Sequence, residues 1–163
     1  MGNKNIRSQA ELHAFRVRLF QMLCALDGTE LVTREEVEPR IYATFAEGLE
    51  EPGGTLEPEE GIVLPADMEE FSSSCAAVCA VRAALPQIDE LISEHSQSWR
   101  VDRMSLTDRT VIRLAVYECV IAKTVPVGVA ISEAVLIARE FGSDESPRFV
   151  NGVLAKIAQA SAR

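Results

Sequence analysis

Residues 110–122 read TVIRLAVYECVIA. Apart from Arg113 and Glu118, nearly every position in that run is apolar or small. A helix of this kind is apolar on almost every side, so it must lie at the centre of other helices. Elsewhere apolar residues recur at spacings of three and four, and no segment alternates convincingly with period two. Aromatic residues make up only 6% of the chain, while Ala, Leu and Val abound, a bias that favours helices over a sandwich or barrel. The expected fold class is all-α. At 163 residues the chain is long enough for one compact domain, burying about 70% of its unfolded surface.

The remaining segments supply the partners for that central helix. Residues 8–26 place Leu12, Phe15, Leu19, Met22, Leu23 and Leu26 on one stripe, and Gly28 follows as a stop. Thr33 with Glu36 forms a capping-box pattern that opens a helix running to about Glu47. Met68 to Leu85 is rich in small residues, and Pro86 then kinks that helix or starts another, whose stripe is Ile88, Leu91 and Ile92. Ser105 with Asp108 is a second capping-box pattern, ahead of the central helix. Beyond Pro126, residues 129–141 form an amphipathic helix stopped by Gly142, and Ser146-Pro147 is expected to cap and open the last helix.

The formal net charge of −9 is concentrated in one place. Residues 47–70 carry nine acidic groups and no basic one, which leaves 16 acids against 16 bases in the rest of the chain. Pro52, Pro58, Pro65 and four glycines make much of this stretch, about 47–66, an acidic loop inserted into a single 1–163 domain. Such a loop is a solvated linker or an electrostatic mimic of RNA. Deleting residues 50–64 is expected to leave the bundle folded and to tighten RNA binding.

The sequence offers little for catalysis. It has no GxGxxG, Walker or HExxH pattern, and His13 and His95 lack a triad or metal context. No matched acid and base pair stands out, and a buried Glu118 is expected to satisfy an arginine such as Arg113. Cys24, Cys75, Cys79 and Cys119 form no CxxC pair; they read as free thiols of a cytoplasmic protein, with no structural metal and no cofactor. No apolar stretch is long enough to span a bilayer. The N-terminus lacks a signal-peptide pattern. The basic signal lies there: Lys4, Arg7, Arg16 and Arg18 against Glu11 give +3 over the first twenty residues, a plausible RNA footprint. These features suit a helical binding module better than an enzyme.

WRVDRMSLTDRTVIRLAVYE, then Pro126, then AISEAVLIAREFGSDESPRFVNGVLAKI resemble the C-terminal half of the NusB family of bacterial transcription antitermination factors. IDELISEHSQSW also fits, so the likeness is close over residues 86–157, and FQMLCALDG in the first helix aligns more loosely. The resemblance implies about six to seven helices in two packed sub-bundles. It implies that the chain binds the boxA element of nascent single-stranded RNA together with the ribosomal protein NusE. The pair would join a transcription elongation complex that reads through terminators, chiefly on ribosomal RNA operons. Phe141 and Phe149 match aromatic positions near the family's RNA groove, with Glu145 and Ser146 between them, and Arg16 matches a basic position of the first helix. Asp108 and Glu118 match acidic positions facing NusE. Charge reversal at Arg16 and Arg18 is therefore expected to weaken RNA binding without harming the fold.

The chain also departs from the family pattern. Leu12, His13 and Ala14 stand where several basic residues are usual, and Cys24 stands where Tyr is usual. These departures and the acidic loop leave a second expectation: a NusB-fold module for protein interaction or homodimerisation, with RNA binding weakened or lost. A NusB-like domain also precedes the catalytic domain of some ribosomal RNA cytosine methyltransferases, but these 163 residues do not include a methyltransferase domain.

Overall fold

The computed structural model describes residues 7–47, 60–96 and 98–162; Lys4 and most of the acidic loop lie outside them. Seven α-helices occur among the described residues, with no strand. Helix α1 (Gln9–Ala25) opens on Ser8, whose hydroxyl accepts from the Glu11 N–H while the Glu11 carboxylate accepts from the Ser8 N–H. This reciprocal cap fixes the entry of the chain. At the other end Gly28 takes φ +74°, the left-handed turn that ends a helix most readily at glycine.

Helix α2 (Arg34–Phe45) starts where the Glu36 carboxylate accepts from the Thr33 N–H and hydroxyl. Pro86 begins a new helix rather than kinking an old one: α3 (Met68–Ala83) ends one residue before α4 (Leu85–His95). A single 3₁₀ turn, Val101–Arg103, leads to α5 (Leu106–Val116), where the Ser105 hydroxyl accepts from the Asp108 N–H at 3.1 Å. Helix α5 widens into a π-helical turn over Tyr117–Ile121, which the apolar run does not announce. The chain then turns at Lys123, φ +53°, into α6 (Val127–Phe141) and α7 (Ser146–Ser161).

The packing follows the hydrophobic pattern. Helices α1–α3 form one sub-bundle and α4–α7 the other, with α5 touching α1, α4, α6 and α7. Val111, Ile112, Leu114, Ala115 and Val116 of α5 are all buried, as the apolar run requires, whereas Tyr117–Ile121 of the π-helical turn are only half-buried. Met22, Phe45, Phe71, Ile88, Ile137 and Ile157 of the other helices are buried in the same core. No helix among the described residues is long and apolar enough to cross a membrane. The four cysteines are free; burial pushes the Cys24 thiol up to about 11 and the Cys75 thiol up to about 12.

Two expectations are corrected here. Ser146 is the first residue of α7, not its cap, because its hydroxyl turns back to accept from the Ser143 N–H at 3.0 Å. That turn needs Gly142, where a Cβ would lie 2.5 Å from the Ser146 hydroxyl and 2.6 Å from the Ala138 carbonyl. The C-terminal end of the acidic insertion is also docked rather than free. Gln21 of α1 donates to the Gly61 carbonyl at 2.6 Å and accepts from the Val63 N–H at 2.9 Å, and Ile62, Val63 and Leu64 pack on the core. Deleting residues 50–64 would therefore remove structure along with charge.

Candidate nucleic-acid interface

The two arginines expected to face RNA from α1 point inward. Arg18 is 3% exposed; it donates to the Val63 carbonyl at 3.3 Å and the Leu64 carbonyl at 3.0 Å, and pairs with Glu70 at 3.2 Å. Its guanidinium is the clasp that holds the end of the insertion and the start of α3 against α1. Arg16, 8% exposed, donates from Nε to Glu118 at 3.0 Å and lies 3.9 Å from Glu133. Glu133 in turn lies 2.7 Å from Nδ1 of His13. This network ties α1 to the π-helical turn and to α6.

Glu118 is thus committed to an internal pair rather than to a partner-facing surface, and its arginine is Arg16, not Arg113. Arg113 instead pairs with Asp89 at 2.7 Å. Burial pushes the Glu118 carboxyl above its ordinary value, while the Arg16 guanidinium beside it pulls the other way. Arg7, at the start of α1, stacks 4.7 Å above the Phe15 ring. It shares a cleft of about 450 Å³ with Glu11, Asp67, Glu69 and Glu70, so the sign of the charge around it is negative. Among the described residues the basic N-terminal face therefore dissolves on folding: Arg16 and Arg18 are neutralised inside and Arg7 is surrounded by acids.

The remaining sequence-predicted residues separate in the same way. Phe141 is half-buried and its ring lies 5.3 Å from that of Phe20, so it serves the core. Ser146 is 2% exposed, and its hydroxyl is occupied by Ser143. Phe149 is half-buried, and its ring stands in a T shape to that of Trp99, centroids 5.7 Å apart and planes at 76°. Asp108 sits in the first turn of α5 with its Oδ1 shielded from solvent and without a hydrogen-bond partner among the described residues.

Trp99, the one tryptophan, is 56% exposed. It stands between two clefts. The larger, about 750 Å³, is lined by Asp27, Asp89, Arg109 and Arg113 among others. Its cations are already paired, Arg109 with Asp27 at 2.8 Å and Arg100 with Asp102 at 2.7 Å. The smaller, about 320 Å³, runs between Trp99 and α7 and is lined by Glu145, Arg148, Phe149, Gly152 and Lys156. Arg148 and Lys156 are exposed and carry no ion pair or hydrogen bond among the described residues. Sequence reasoning singled out Phe149 and passed over Trp99, Arg148 and Lys156. The available signal was the spacing of Arg148, Gly152 and Lys156 at i, i+4 and i+8, which puts two cations and a gap on one helix face.

Comparison with known proteins gives this geometry a context. The family model described as NusB family matches residues 13–159. Over 91 residues, 56% of this chain and 66% of the relative, the chain is 42% identical to the transcription antitermination protein NusB of Desulforudis audaxviator. The aligned stretch is thus just under two thirds of that relative's length. The solved structure of T. maritima NusB superposes with a TM-score of 0.63 at 28% identity, covering 90% of each chain. A chain in a crystal structure of the antitermination factors NusB and NusE in complex with double-stranded RNA shares the fold, with a TM-score of 0.66 at 18% identity over 94% of this chain and 99% of that one.

Proposed function

The chain belongs to the NusB family, and from that premise we propose that it is a transcription antitermination factor that binds boxA-type RNA together with the ribosomal protein NusE. The observation that carries the reading is the family match across residues 13–159, nearly the whole of the folded bundle. The chemistry is binding. Single-stranded RNA is held by cations on phosphates and aromatic rings on bases, and Trp99 together with Arg148, Phe149 and Lys156 of α7 offers both along one groove. Asp108 suits a basic partner: its half-buried carboxylate stands in the first turn of α5, where an incoming Arg or Lys would meet negative charge. The pair would act in the transcription elongation complex of ribosomal RNA operons, in the cytoplasm.

A defined transcription assay tests the proposal. A template carrying a boxA element upstream of a terminator is transcribed with and without this chain and the cognate NusE protein. Read-through that rises only when both are added supports the function, and read-through that does not change refutes it. One observation favours a second reading, that of a protein-interaction or homodimerisation module: the arginines of α1 are turned into the fold. Binding of NusE without recruitment of RNA would select it.

A further inference from the structure

The proposed RNA binding leaves open which residues take the bases, and the groove between Trp99 and α7 carries an answer that the family match does not. Trp99 leaves more than half of its surface in water although the core lies next to it. Its backbone is held: the Trp99 backbone N–H donates to the Ser96 carbonyl at 2.8 Å, and the Ser96 hydroxyl donates to the Trp99 carbonyl at 2.9 Å. The Phe149 ring packs against it in a T shape, centroids 5.7 Å apart and planes at 76°, while Trp99 stays 56% exposed. Across the groove, Arg148 and Lys156 flank Gly152 on one stripe of α7.

Gly152 is the second observation. A Cβ there would meet no heavy atom within 4 Å, so neither packing nor backbone conformation requires glycine. Glycine in a helix interior is destabilising relative to alanine. Here it lowers the wall of the groove opposite an aromatic ring and between two unpaired cations. A planar ligand that enters edge-first uses that gap, and the two cations then sit on either side of it. The volume, about 320 Å³, lies at the lower end of the range for small-ligand clefts. Glu145 is the one acid on the rim against two cations, so the groove favours an anionic chain.

We propose that this groove is a base-stacking site for single-stranded RNA, with one base against Trp99 over Gly152 and the flanking phosphates on Arg148 and Lys156. The inference rests on the RNA-binding reading above and deepens it. It makes Trp99 an RNA-contacting residue and moves the phosphate contacts from α1 to α7.

Trp99 is also the built-in probe, being the only tryptophan of the chain. A boxA-type RNA of twelve nucleotides, labelled with fluorescein, is titrated onto the full chain loaded with NusE, and anisotropy and indole emission are read together. Trp99→Phe gives the blank for the partner's own fluorescence. The expected result is quenching of Trp99 with the midpoint seen by anisotropy, and a loss of affinity in Trp99→Ala of about 5- to 140-fold. Gly152→Ala supplies a readout that a structural role would not give: its melting temperature rises by about 2–4 °C while RNA binding weakens.

RNA that binds by anisotropy with silent Trp99 emission and unchanged affinity in Trp99→Ala overturns the site and leaves the RNA-binding function standing. Emission that responds to NusE alone, with no further change on adding RNA, overturns it in favour of a protein contact. Absence of RNA binding in the wild type, partner present, takes down both the site and the function on which it rests.

Discussion

Replacing Arg18 by alanine is the perturbation that most sharply separates a structural role from an RNA-binding one. The side chain is 4% exposed and faces the carbonyls of Val63 and Leu64, the Ser74 hydroxyl and the Glu70 carboxylate. Removing one member of a buried ion pair costs about 3–5 kcal/mol, because the other charge is left without compensation. Glu70 is 25% exposed and partly hydrated, so the lower end applies, about 3 kcal/mol. The total stability of a domain is about 5–15 kcal/mol, and each kcal/mol moves Tm by about 2–4 °C at this length. Arg18→Ala should therefore lower Tm by about 6–12 °C. Urea unfolding followed by circular dichroism gives the free energy directly, with the m-value reporting whether the denatured state has changed. A loss below about 1 kcal/mol at unchanged m, the range of a surface pair, would refute the clasp. Reversing the charge of Arg16 and Arg18 together is expected to unfold the chain, so RNA binding lost in that variant would report the fold and not a contact.

Three further outcomes follow from the same network and groove. Glu118 has its native carboxyl raised above 4.5 by burial, so the native state holds this proton more tightly than the unfolded one. Its contribution to stability is then present below pH 4.5 and is lost as pH rises through the native value; as pH rises above 4.5 the wild type should lose stability relative to Glu118→Gln, and parallel urea midpoints would contradict this. Arg148→Gln with Lys156→Gln removes two phosphate contacts and should flatten the slope of log affinity against log salt for single-stranded RNA by about 1.4; a full wild-type slope would clear α7 of that role. Deleting residues 50–64 should lower Tm well below that of a 50–58 deletion, because only the longer cut takes the Gly61, Val63 and Leu64 contacts with Gln21 and Arg18. Equal melting temperatures would show that these contacts hold nothing.

The fold was legible because its signals are local. The apolar run around Ile112, the cap at Ser105 and the stops at Gly28 and Gly142 all act within a few residues of themselves, and each appears where the spacing places it. The site was much less legible, because burial of a charge depends on contacts distant in sequence. Arg16 meets Glu118 across 102 positions and Arg18 meets Leu64 across 46, so counting cations in the first twenty residues cannot tell a surface stripe from an internal clasp. Ser146 misled for a shorter-range reason: Ser-Pro is a good helix opening, but the close approach at Gly142 pulls the hydroxyl back onto Ser143. Trp99 was passed over because a single aromatic in a polar stretch has no period, and only the packing of Phe149 against it reveals a platform.

The most direct test of this account is the affinity of the intact chain for a boxA-type RNA, measured by fluorescence anisotropy with and without NusE at two salt concentrations. The account predicts salt-sensitive binding that tightens when NusE is added, since cations on phosphates supply the attraction and the partner adds its own surface. NusE bound to the chain with no RNA joining at either salt would contradict it, and would mean that the fold serves protein interaction alone.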